Sequence, residues 1–146
     1  RRPPPPRLPP PTHPTAPHPH PRATPSTPPN WLTAPETYTS PSHLSVLSAY
    51  VIRNSPELVA IAGTRDHVIA TGVNHPALYP HNVNHFLDVY PGATGLKTGF
   101  TNDAGGTLIA TAARGGRHLL VVLMGSEIMF GDGVKLMDQG FATPGT

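Results

Sequence analysis

Fourteen of the chain's 21 prolines fall within its first 30 residues, and this asymmetry divides what the chain is able to fold into. Proline fixes φ and removes a backbone donor, so a stretch this dense in it forms neither a helix interior nor a central strand. The same stretch holds four arginines, three histidines, no acidic residue and almost nothing aliphatic. It cannot bury enough apolar surface to offset the entropy of ordering it. Residues 1–30 are therefore expected to be disordered or polyproline-like. Their Pro-x-x-Pro repeats have the form that docks in aromatic grooves, but a passive extension is the simpler reading.

The charge divides at the same place. The formal net charge is +2, yet Arg1, Arg2, Arg7 and Arg22 contribute +4, and the other six Lys and Arg against eight Asp and Glu give −2. The basic balance belongs to the first segment, so it does not mark a nucleic-acid surface on the remainder. No aromatics interleave with those arginines to stack on bases, and no nucleic-acid partner is expected. There is no cysteine, which removes disulfides and thiolate metal sites. The longest apolar stretch, residues 119–124, has the length of a buried strand, so no membrane segment is expected. Prolines stand where an export signal needs an apolar core, and no signal peptide is visible.

From about residue 31 the composition becomes that of an ordinary domain. Ser40 and Pro41 form a helix start, a capping hydroxyl followed by a ring suited to the first helical position. Leu44, Leu47 and Val51 then share a face, with Val46 and Tyr50 close by, and Asn54 ends the helix. Ser55-Pro56-Glu57 repeats the start signal for a short helix over residues 58–62, stopped by Gly63. Residues 65–71 read as a short strand, 72–80 as a loop, 82–87 as a helical turn and Tyr90-Pro91-Gly92 as a turn. Residues 95–101, 107–113 and 118–124 read as three strands joined by hairpin-like connections. Residues 130–141 carry Val134, Leu136, Met137 and Phe141 at roughly helical spacing, which predicts a closing helix on the sheet. The order predicts an α+β fold with an antiparallel sheet and flanking helices.

The sharpest chemical signal is Lys97-Thr98-Gly99. A lysine within a strand is unusual unless it lies at an edge or serves a site. Nearby glycines keep the strand surface bare, so another backbone can approach. An ammonium, a hydroxyl and an open strand edge suit an extended peptide that ends in a carboxylate. A phosphate-binding loop requires glycine immediately before the lysine, and here Leu96 stands there. The competing reading is a solvated lysine on an edge strand.

The succession of Asn82 and Asn84, Tyr90-Pro91-Gly92, Gly-Leu-Lys-Thr-Gly, Phe-Thr, Ala-Gly-Gly and Leu-Met-Gly resembles the low-molecular-mass penicillin-binding D-alanyl-D-alanine carboxypeptidases. Lys-Thr-Gly is among the motifs of penicillin-binding proteins and serine β-lactamases. Residues 37–42 and 134–141 are similar to the family as well. The resemblance implies that residues 31–142 are the C-terminal part of the catalytic domain, with residues 143–146 a tail. It implies a partial serine transpeptidase or β-lactamase-like fold. It also implies that Lys97, Thr98, Gly99 and Thr101 are substrate-binding: Lys97 holds positive potential near the substrate carboxylate, and Thr98 bonds that carboxylate. The partners so implied are a peptidoglycan stem peptide ending in D-Ala-D-Ala and, for the full-length parent, β-lactams. The implied location is the cell envelope, outside the cytoplasm. No cofactor is implied.

Three departures from the family stand out. Phe100 occupies a place where some relatives have histidine. Residues 126–132 lack a basic residue that some relatives carry. An acyl-enzyme mechanism needs an activated serine, which this family takes from Ser-x-x-Lys. Here Thr94 and Asp132 stand three residues before Lys97 and Lys135, the chain's two lysines, and there is no Ser-x-Asn. No catalytic residue is therefore named, and the chain alone is expected to be inactive. Residues 1–30 are read as foreign to the family, such as a shifted frame or truncated gene would leave. A non-catalytic cell-wall peptide-binding module and a non-functional remnant stay open. Among the histidines, His13, His18 and His20, and likewise His75, His81 and His85, match no zinc spacing and have no cysteine partners. They are read as solvated, with no metal site expected.

Overall fold

The computed structural model describes residues 38–144. The proline-rich expectation for residues 1–30 lies outside the described residues, as does the end of the expected tail at 145–146. Seven elements follow in order: α1 (Pro41–Asn54), α2 (Pro56–Ala62), α3 (Phe86–Val89), β1 (Ala93–Thr101), β2 (Gly105–Arg114), β3 (Arg117–Ser126) and α4 (Met129–Ala142). The strands form one antiparallel sheet in the order β1-β2-β3. The fold is α+β, as the order of elements predicts.

The register assigns the two faces of the sheet. Thr98 lies opposite Leu108 and Leu96 opposite Ala110, while Leu108, Ala110 and Ala112 lie opposite Leu123, Val121 and Leu119. This face packs on α4. Its core joins Phe86, Tyr90, Leu108, Ala110, Ala112, Leu123 and Met137, with Phe130, Val134 and Phe141 of α4 against it. Phe86, Leu108 and Met137 are fully buried, each contributing about 1.5–3 kcal/mol relative to exposure. Gly133 lets α4 come close: a methyl there would lie 2.5 Å from Leu108 Cδ2. The opposite face carries Ile109, Thr111, Leu120 and Val122, and α1 and α2 lie over it.

The start of α1 is as the sequence predicts, with Ser40 Oγ accepting the His43 N–H at 3.3 Å and Pro41 in the first turn. Ser55 departs from expectation. It makes no side-chain cap for α2, and its N–H instead closes α1 by bonding to the Val51 carbonyl at 2.9 Å. The face of α1 read from the sequence holds in part, with Leu44 and Val51 half-buried on the side of Ser48. Leu47 is 57% exposed and Ser48 only 3%, while Ala49, Ile52 and Arg53 border a cleft with Thr111, Leu119 and Leu120 of the sheet. Val46, Leu47 and Tyr50 of α1 and Leu58 and Ile61 of α2 remain exposed.

The strand expected over residues 65–71 is absent. The segment instead folds back on residues 75–81 through isolated pairings: Asp66 with His81, Ile69 with Leu78 and Gly72 with His75. Pro76 and Pro80 lack N–H donors, so the returning arm cannot complete a ladder. The helical turn expected over residues 82–87 forms later, as α3. Asn82 Oδ1 accepts the Asn84 N–H at 3.0 Å and Asn84 Oδ1 the Phe86 N–H at 3.3 Å. These side-chain turns delay the helix. Asn82 Nδ2 also donates to the carbonyls of Ala62 at 3.0 Å and Thr64 at 2.8 Å, tying the segment to the end of α2. Among the described residues, no helix is long and apolar enough to cross a membrane.

Candidate functional site

Two places gather chemistry-bearing groups. The first is β1. Its approach is a type II turn, Tyr90-Pro91-Gly92-Ala93, closed by the Ala93 N–H on the Tyr90 carbonyl at 3.1 Å. Proline suits the second position and a positive φ the third, and Gly92 has φ +86°. Its carbonyl accepts the Ala113 N–H at 2.9 Å, which fixes where β1 starts against β2. The turn is anchored beneath by Tyr90, whose hydroxyl donates to Asp138 Oδ1 at 2.7 Å and accepts from Arg114 Nη2 at 2.9 Å. Burial, and next the Asp138 carboxylate, push the Tyr90 phenol above its usual range. The Arg114 guanidinium also lies over the rings of Tyr90 and Phe141, 5.2 and 4.8 Å from their centroids.

Within the described residues β1 is hydrogen-bonded to β2 alone, so its other side is a sheet edge. Lys97 lies opposite Ile109 and is exposed. Its ammonium donates to the Thr98 carbonyl, and none of the ion pairs among the described residues includes it. Thr98 is half-buried opposite Leu108. Gly99 is exposed, and a side chain there would meet nothing within 4 Å. Phe100 is 69% exposed. The strand thus presents a cation without a carboxylate, a hydroxyl and a bare edge. Thr101 has local work of its own: its Oγ1 accepts the Ala104 N–H at 3.1 Å in the turn to β2.

The second gathering joins two of the histidines weighed in the sequence, His81 and His85, to two aspartates that were not weighed there, Asp66 and Asp88. His81 Nδ1 is 2.8 Å from Asp66 Oδ1, and its Nε2 is 3.3 Å from Asp88 Oδ2. His85 Nδ1 is 3.4 Å from the same Asp88 oxygen. Asp66, followed by Asp88, holds the His81 imidazole above its ordinary range. Partial desolvation pushes Asp88 upward, but the bonds from His81 and His85 outweigh it and hold that carboxyl below its usual range. His75 stays apart, with Nδ1 2.8 Å from the Pro76 carbonyl. The available signal was the interval from His81 to His85 to Asp88, four residues and then three. Asp66 joins them only through the folded-back arms.

Comparison with known proteins bears on the first site. The family profile described as D-alanyl-D-alanine carboxypeptidase matches residues 23–127. A D-alanyl-D-alanine carboxypeptidase of Mycobacterium tuberculosis, DacB2, is 42% identical over 67 residues, covering 42% of this chain and 23% of that protein. A D-alanyl-D-alanine carboxypeptidase of a Streptomyces species is 31% identical over 111 residues, covering 72% of this chain and 38% of the relative. The crystal structure of a penicillin-binding protein of Listeria monocytogenes, in its cefotaxime-bound form, superposes with a TM-score of 0.59 at 33% identity, over 67% of this chain and 39% of that one. The chain therefore spans well under half the length of these relatives. The matched interval takes in the folded-back segment, the turn and all three strands, with the Lys97-Thr98-Gly99 edge among them, and the chain belongs to the D-alanyl-D-alanine carboxypeptidase family.

Proposed function

We propose that this chain is the carboxylate-binding part of a serine-type D-alanyl-D-alanine carboxypeptidase that trims peptidoglycan stem peptides in the cell envelope. The observation that carries the reading is Lys97, an exposed ammonium with no carboxylate partner among the described residues, on a strand edge left bare by Gly99. An extended peptide laid along β1 receives backbone hydrogen bonds from the edge. Its terminal carboxylate receives charge-assisted bonds from Lys97 and Thr98. Thr101, already engaged by Ala104, shapes the end of the strand and contacts the peptide only through its remaining hydroxyl capacity. Acylation would fall to a serine outside these 146 residues, whose sequence holds no Ser-x-x-Lys. β-Lactams are expected to compete for the same edge in the full-length protein. No step of this binding calls on a cofactor.

The test is titration of the isotope-labelled chain with an acylated D-Ala-D-Ala peptide, followed by amide shifts. The expected result is saturable movement over residues 97–100, lost in Lys97→Ala and absent with the C-terminal amide of the same peptide. Movement confined to other elements, or equal response to acid and amide, would overturn the reading. A non-catalytic binding module gives the same shifts, and only the longer protein's ability to release D-alanine separates the two.

A further inference from the structure

His81 has a carboxylate on each side of its ring, Asp66 at Nδ1 and Asp88 at Nε2, at 2.8 and 3.3 Å. A neutral imidazole has one N–H and can satisfy only one of them; the other nitrogen then turns a lone pair toward an anion. Asp88 Oδ2 faces a second imidazole nitrogen, His85 Nδ1, at 3.4 Å. Positive charge has to stand among these three groups. Additional protons are one source and a metal cation is the other.

The spacing of these contacts is also that of a metal site. Nitrogen and oxygen ligands lie about 2.0–2.2 Å from zinc, so neighbouring corners of the tetrahedron are about 3.3–3.5 Å apart. The two contacts at Asp88 Oδ2 have that separation, and one donor atom from each of His81, His85 and Asp88 lies within 4.8 Å of the others. Asp66 completes the pattern from behind. A carboxylate on the far nitrogen fixes the tautomer of a ligating histidine and leaves Nε2 free to bind. The side chains of His81, His85 and Asp88 are 48%, 62% and 34% exposed, which leaves an entry path and a fourth position for water.

We propose that His81, His85 and Asp88 bind a first-row divalent transition metal such as zinc, with Asp66 orienting His81. Two imidazoles and one carboxylate select such a cation over magnesium or calcium, which prefer all-oxygen surroundings. His81 ends the returning arm, His85 precedes α3 and Asp88 lies within it, so the metal would clamp that segment at the point where the chain turns toward β1. The site is separate from the Lys97 edge and does not depend on the proposed function.

The test uses the whole chain, stripped with chelator and titrated with zinc chloride by calorimetry, and with cobalt by visible absorption. The expected result is one equivalent bound through His81 and His85, a tetrahedral cobalt spectrum, and zinc-induced shifts of both imidazoles in the unmodified chain. His81→Ala and His85→Ala should each weaken this binding at least tenfold, and Asp66→Asn by about 10- to 100-fold at unchanged stoichiometry. Circular dichroism should stay the same in all three. A chain with His13, His18 and His20 replaced should bind as the parent does. Failure to take up zinc would overturn the proposal. So would binding that survives loss of both His81 and His85, or imidazole shifts reproduced equally by magnesium.

Discussion

Replacing Gly92 with alanine tests how the turn positions β1. Gly92 has φ +86°, and an alanine in the left-handed region costs about 1–2 kcal/mol. The added methyl would also lie 2.4 Å from the Ala113 carbonyl oxygen. That atom cannot swing aside, because it belongs to β2 and the Ala113 N–H is itself bound to the Gly92 carbonyl. Relief requires the turn to lift from β2, at an overpacking cost of about 1–3 kcal/mol. Narrowing of the unfolded ensemble returns about 0.4–1 kcal/mol. The net expectation is a loss of roughly 2–3 kcal/mol. Gly115→Ala is the control: φ there is +57°, but nothing lies within 4 Å of the new methyl, so its loss is limited to about 1–2 kcal/mol less the same return. Urea unfolding followed by far-ultraviolet circular dichroism measures both. With m near 1–2 kcal/mol/M, Gly92→Ala should lower the midpoint by roughly 1–3 M and Gly115→Ala by half of that or less. If Gly92→Ala proves as stable as Gly115→Ala, the contact with Ala113 does not constrain the turn and the reasoning fails.

Three further outcomes are expected. Tyr90→Phe keeps the stacked ring but removes a hydroxyl that donates to Asp138 and accepts from Arg114; it should cost about 1 kcal/mol, the charged partners being half exposed to water, and an unchanged urea midpoint would show that water replaces the hydroxyl fully. Asp132 is held below its usual range by the Ser126 hydroxyl and then by Lys135. A carboxyl lowered in the folded state adds stability above its unfolded pKa of about 4 and loses it as pH falls through the lower folded value. Ser126→Ala should therefore flatten the acid-side fall in midpoint between about pH 5 and pH 3, and parallel curves would refute the coupling. Finally, the chain incubated with benzylpenicillin should show no covalent adduct by intact mass, since no Ser-x-x-Lys is present; an adduct would mean that another residue here is an activated nucleophile.

The parts of the fold that were legible are those where local chemistry and tertiary need agree. Ser40-Pro41 caps α1, the three runs read as strands pair as the antiparallel meander β1-β2-β3, and the Tyr90-Pro91-Gly92 turn delivers Lys97 to an edge. The misreadings arose where partners distant in sequence decide. Residues 65–71 have strand composition, but their partner carries Pro76 and Pro80 and cannot complete a ladder. In α1, Leu47 was placed on a face with Leu44 and Val51, yet it is exposed and Ser48 is the buried member of that side. His81 and His85 were in view in the sequence, but Asp66 was not, because it reaches His81 only across that folded-back segment. The Lys97 edge was legible because all its parts lie on one short strand.

One feature of the core bears on how the chain folds. Its fully packed members, from Phe86 through Leu108 and Leu123 to Met137, lie in one unbroken run of sequence comprising α3, the three strands and α4. The meander needs only short loops closed between adjacent strands, whereas α1 must find β3 across a far longer stretch of chain. Closing short loops comes at lower entropic cost. Residues 86–142 are thus placed to form a cooperative unit whose amides open last in hydrogen exchange. α1 and α2, resting on it with much of their apolar surface still in water, would open first.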